Sequence, residues 1–239
     1  MFSASRACAA LAAAALSMAP ASADVIGTLY NTGLDDNRAI LAAGAVDPHY
    51  ELVGAMAQAY GSPVIKSGPE RPGSWTAETG GAGWINPCVA PGTDLAPGPY
   101  HYRTTFDLTC FDKKSAEIRL RFSADNHLCD VLLNGVQLGL GWTSYEQWSP
   151  TGVIRNTEVV RMDGSVAQFD SLFVEGLNTI EFVVENWGDP SFYSPSGLMV
   201  DMQGAATKVC GVPEPGSVAL MGLAATAGWW FRRRRQPAA

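Results

Sequence analysis

The chain is poor in the side chains from which most catalytic centres are built. It has three histidines in 239 residues, His49, His101 and His127. No Gly-x-Ser-x-Gly elbow, no His-Glu-x-x-His pair and no phosphate-binding loop occurs. The common signatures of serine hydrolases, zinc peptidases and nucleotide hydrolases are therefore missing. No Cys-x-x-Cys spacing exists either, so a zinc site of the usual kind is not expected. The carboxylates are many, but none stands out as a paired acid and base. His101 sits mid-strand between two tyrosines, His127 follows a turn at Asp125-Asn126, and His49 follows the turn signal Asp47-Pro48. On this reading the chain is not an enzyme.

Basic residues are also scarce away from the ends. Met1 to Ala23 has one arginine, an apolar alanine and leucine core, and a small-residue cleavage site at Ala21-Ser22-Ala23. Those are the parts of a secretory leader, whose removal leaves Asp24 first. Taking away residues 1–23 and 211–239 removes five arginines and one glutamate. The body keeps 11 basic and 22 acidic residues, net −11. So acidic a body does not suit nucleic acid. It suits an exported protein of about one domain, residues 24–210.

Strand patterns dominate what is there. Tyr100, Tyr102, Thr104, Phe106 and Leu108 alternate with polar residues, as do Ile118, Leu120, Phe122 and Ala124. Period two of this kind marks half-buried strands. Asn134-Gly135 between two apolar runs predicts a tight hairpin, since both turn residues must take φ > 0. Ile180 to Glu185 and Leu198 to Met202 read as two further strands. Leu41 to Val46 and Leu52 to Ala59 read as short strands or a helical turn. Residues 61–99 are rich in Gly and Pro and read as loops, with brief edge strands near Trp75 and Trp84-Ile85. No amphipathic helix appears from Tyr100 onward, and no internal repeat or domain boundary appears in the body. The class is all-β, and a two-sheet sandwich is expected.

The tail has its own order. Pro213-Glu214-Pro215 comes first, then an apolar stretch from Val218 to Phe231, then Arg232, Arg233, Arg234 and Arg235. The prolines keep the motif extended and accessible. Ser217 to Phe231 would give about 22 Å of helix, short for a bilayer core of about 30 Å. The arginines favour a cytoplasmic C-terminus and act as a stop-transfer signal. This order resembles the PEP-CTERM sorting signal, residues 211–239. The resemblance implies processing by an exosortase that reads Pro213, Glu214 and Pro215. It also implies the secretion machinery as a partner and a passage through the inner membrane on a transmembrane helix. The destination would be the cell surface or extracellular matrix.

The body carries a second resemblance. Tyr102 to Leu108, Ser123-Ala124-Asp125-Asn126, Val131 to Gly135 and Gly176 to Asn186 follow one another as in the galactose-binding-like jelly roll. They are also similar to the ectodomain common among PEP-CTERM proteins. There an Asn31-Thr32-Gly33 opening, the segment Ala43 to Tyr50, a Trp84-Ile85 strand and a closing Pro195 to Leu198 are also expected. That fold is shared with sugar binders, which is an analogy and not an assignment.

Three sets of residues are candidates for a role in the body. Trp142, Tyr145 and Trp148 follow the hairpin, and Trp187, Phe192 and Tyr193 follow the strand ending at Asn186. Aromatic rings with a few polar groups suit a sugar, and the same rings could instead plug the end of the sandwich. Asp35-Asp36-Asn37 and Asp125-Asn126 offer oxygens of the kind a structural calcium takes, although Asx residues also simply cap turns. No other cofactor is implied. Cys88, Cys110, Cys129 and Cys210 remain after leader removal, an even count in an oxidising compartment. Strand direction argues against Cys110 with Cys129 and favours Cys88 with Cys129 and Cys110 with Cys210.

Three functions fit these expectations. The first is a non-catalytic binding or structural module, for extracellular polysaccharide. The second is an exported carbohydrate-active hydrolase. The third is an ice-binding or adhesion protein, since related tails are labelled as ice-binding C-terminal domains; the regular threonine ladders such a surface needs are absent.

Overall fold

The computed structural model describes residues 23–68, 72–79, 81–87, 95–188 and 194–210. Residues 1–22 of the leader, Cys88, Phe192, Tyr193, the sorting motif, the apolar stretch and the four arginines lie outside the described residues. Among the described residues no helix is long and apolar enough to cross a membrane.

The architecture is all-β with one short helix. Its strands are β1 (Ala23–Val25), β2 (Val46–Val53), β3 (Pro63–Lys66), β4 (Ile85–Pro87), β5 (Gly98–Asp107), β6 (Phe111–Leu133) and β7 (Val136–Gln137). They continue as β8 (Trp142–Ser144), β9 (Gly152–Arg155), β10 (Glu158–Val160), β11 (Val166–Gln168), β12 (Leu177–Asn186) and β13 (Gly197–Lys208). The helix α1 (Gly54–Tyr60) follows β2 directly.

The strands do not divide clearly into the two sheets of a jelly roll. Hydrogen bonds run β13-β4-β3-β2-β5-β12-β6 and then from β6 back to β13, a closed circuit of seven. The other strands lie outside that circuit. The cause is β6, which is 23 residues long. Its first half pairs with β13 and β9, and its second half pairs with β12. One strand therefore belongs to two walls. Asp125-Asn126 lies inside β6 and does not form the expected turn, so His127 is a strand residue. Pro48 and His49 likewise sit within β2. Pro48 is tolerated there because the β2 pairings skip from Val46 to Glu51. Trp75 lies in a bend, not an edge strand.

Period two places the core. Tyr100, Tyr102 and Phe106 of β5 are buried, and so are Ile180, Phe182 and Val184 of β12. The ladder sets Tyr102 opposite Phe182 and Tyr100 opposite Val184. Ile118, Leu120 and Phe122 of β6 and Val200 of β13 continue the same interior. Asn134 and Gly135 take φ of 51° and 81° and close the β6–β7 hairpin as their sequence requires. A second, smaller cluster lies apart from the main core. It contains Trp75, Ala82, Trp84 and Met199, with Tyr145 and Trp148 packed on it.

Candidate functional site

Of the six candidate aromatics, the four among the described residues separate into two pairs. Tyr145 and Trp148 join the small cluster, where the rings of Trp75 and Trp84 stand 4.2 Å apart. The Tyr145 carbonyl accepts the Thr76 amide at 2.6 Å, which ties its loop to the 72–84 segment. The Arg121 guanidinium lies 4.5 Å from the Trp148 ring centroid. These two rings are thus engaged by protein.

Trp142 and Trp187 belong to a different place, the rim where β6, β8 and the end of β12 meet. Trp142 is opposite Leu128 in the β6–β8 ladder. It packs against the main core, and its buried indole Nε1 has no hydrogen-bond partner. The next residue, Thr143, bonds through Oγ1 to Nδ1 of His127. The His127 ring stacks on Trp187 with centroids 5.9 Å apart. Trp187 is 53 % exposed, the most open of the described tryptophans. Burial pushes the His127 pKa down, and the nearby Glu185 charge opposes that shift. The ring is therefore neutral at pH 7, a stacking partner with one hydrogen-bonded nitrogen.

Asp125 and Asn126 connect the two places. The Asp125 Oδ2 accepts the Trp75 indole N–H at 2.7 Å, and its Oδ1 accepts the Asn126 amide at 2.8 Å. Asn126 Oδ1 in turn accepts the backbone N–H of Trp187 at 2.7 Å. Burial pushes the Asp125 pKa from 3.8 to about 6, against the lowering effect of the Trp75 bond. Both carboxylate oxygens are thus committed to fixing loops. Asp35 is engaged in a similar way: its Oδ1 accepts the amides of Asn37 and Ala39 at 2.9 and 2.8 Å. Among the described residues no group of three acidic, histidine or cysteine side chains could hold a metal ion.

His49 and His101 lie elsewhere. His49 stacks on Tyr30 at 3.4 Å, and the other candidate histidine, His101, bonds to Glu181 at 2.6 Å across the β5–β12 ladder. A shallow cavity of about 180 Å³ opens beside Trp148, lined by Arg119, Arg121, Thr151, Asp201 and Gln203. Its charges are paired internally: Arg121 Nε and Nη2 donate to Asp201 Oδ2 at 3.0 and 2.9 Å, and Arg119 Nε donates to Glu117.

The structure joins Cys110 to Cys210. Cys129 is a free, exposed thiol, and its expected partner Cys88 lies outside the described residues. Sequence reasoning missed His127 and Thr143 as members of the rim. Alternation gave no signal there, because Leu128 and Val131 stand three residues apart across the point where the β6–β12 register shifts.

A family model described as the PEP-CTERM protein-sorting motif matches residues 211–235. The tail thus marks an exported protein sorted by an exosortase. No curated protein matches the chain, and no solved structure does.

Proposed function

We propose that the body is a non-catalytic module of the extracellular matrix that binds polysaccharide at the Trp187 rim. The observation that carries this reading is the half-exposed Trp187 ring in offset stacking with His127. A sugar presents an apolar C–H face to such a ring, and neighbouring polar groups fix its orientation. Thr143 and Glu185 supply candidates for that role. The leader, residues 1–23, is removed during export, the body is residues 24–210, and exosortase acts on Pro213-Glu214-Pro215. The mature protein then resides at the cell surface or in the matrix. No cofactor takes part, and the kinship of the body is with the galactose-binding-like jelly roll.

The test is co-sedimentation of the mature, oxidised chain with the producing bacterium's own extracellular polysaccharide, with and without calcium. Saturable binding that is lost in Trp187→Ala and kept in Trp148→Ala is expected, in either medium. Equal binding by the Trp187→Ala chain would sink the rim as the site. Binding only with calcium would restore a metal to the reading.

A further inference from the structure

The lysines are distributed unevenly. The whole chain has four, Lys66, Lys113, Lys114 and Lys208. Lys66 is buried, bonded to Glu78 at 2.6 Å. The other three gather at one end of the body. Lys208 is opposite Phe111 in the β13–β6 ladder. Lys113 and Lys114 follow on the bulge that lies between the Asp112–Thr207 and Glu117–Ala205 pairs. None of the three forms an ion pair among the described residues. The Cys110–Cys210 bond closes the same end.

Apolar residues are exposed there too. Val209 is 51 % exposed and its amide bonds to Cys110. Leu177 is 66 % exposed and stands opposite Asp107, three residues before Cys110. Val25 is 75 % exposed on β1, which runs beside the last residues of β13. Asp24, Asp107, Asp112 and Glu175 offset the three lysines, so this end carries far less net negative charge than the rest of a body of net −11.

Both termini of the body leave from this end. Ala23 is opposite Thr207, and Cys210 lies three residues further along β13's path. Six residues lie between Cys210 and Ser217, a reach of at most about 25 Å. A body of this size has a radius of gyration of about 16 Å, so the tether cannot turn the far end toward the membrane. An anionic surface repels the acidic remainder of the body and attracts lysines within a Debye length.

We propose that the Cys110–Cys210 end is a docking face for an anionic lipid surface, used while the C-terminal apolar segment is in the membrane. Lys113, Lys114 and Lys208 meet the headgroups, and Val25, Leu177 and Val209 reach the interface. This rests on the membrane-inserted stage of the sorting reading.

The test exploits the small number of lysines. The full oxidised chain is reconstituted into vesicles of phosphatidylcholine, alone or with phosphatidylglycerol, and trace-labelled with an amine reagent before peptide mapping. Flotation with the vesicles reports insertion, and slow labelling of Lys66 reports a folded body. Docking lowers labelling of Lys113, Lys114 and Lys208 about fivefold in the anionic vesicles relative to the neutral ones. High salt, or Lys113→Gln with Lys114→Gln, restores labelling of Lys208. Equal labelling in both vesicle types, on a chain that floats, overturns the docking face. A chain that does not float overturns the membrane-inserted stage instead.

Discussion

The two tryptophan-rich regions of the body use the same residue type in opposite ways. In the small cluster Trp84 is fully buried, its amide bonded to Glu78 Oε1 at 3.1 Å and its indole N–H to the Thr76 carbonyl at 2.9 Å. At the rim the Trp187 backbone is fixed at both ends, its N–H donating to Asn126 and its carbonyl accepting the Ser194 hydroxyl, while its ring stacks on His127 and stays half open to solvent. The first arrangement satisfies both ends of an amphipathic ring and spends the residue on stability. The second immobilises the chain around the ring and leaves its face available. Sequence composition does not separate these uses; the hydrogen-bond partners do.

Four substitutions break or sharpen that contrast. Trp84→Ala should cost about 3–5 kcal/mol of folding free energy, read from urea unfolding. A loss under about 1 kcal/mol would mean that the cluster is not part of the cooperative unit. Glu78→Ala should cost about 3–4 kcal/mol, because it leaves Lys66 buried without its counter-charge. Exposure of Lys66 to amine reagents in that variant would check the cause.

Asp125→Asn tests the link between the regions through pH. Folding raises this carboxyl's pKa from 3.8 to about 6, so the folded state holds the proton more tightly. The contribution of the group is greatest below pH 3.8 and is lost as pH rises through about 6. The stability difference between wild type and Asp125→Asn should therefore change by up to about 3 kcal/mol between pH 4 and pH 7. A difference that is flat over this range would show that Asp125 is not held as described. Trp187→Ala should shift stability by no more than about 0.5 kcal/mol, while abolishing polysaccharide binding. A large destabilisation there would move Trp187 into the same class as Trp84.

Much of the strand content was legible because β5, β12 and the first half of β6 each bury one face. Tyr102, Phe182 and Phe122 reveal those faces by simple alternation. The Asn134-Gly135 hairpin was legible because a backbone demand selects those residues. The long course of β6 was not. Asp125 and Asn126 are turn-forming types, and only their distant partners Trp75 and Trp187 make an extended backbone the better solution. The closed circuit of strands was hidden for the same reason, since it depends on β6 serving two walls. The sequence grouped Trp142 with Tyr145 and Trp148. Their division was not legible, because it follows from which ring meets Trp75 and Trp84.

The last strand has a consequence for time. β13 pairs with β1, with β4 and with β6. In a chain exported from its N-terminus, β1 and the first half of β6 wait with open edges until nearly the final residue has crossed. Contacts between such distant segments form slowly, and unpaired edges invite wrong partners meanwhile. The Cys110–Cys210 bond spans 100 residues and faces the same wait. Arrival of the tail and completion of the body are thus one event. A sorting signal placed directly after β13 is presented at the moment when the body first becomes able to close.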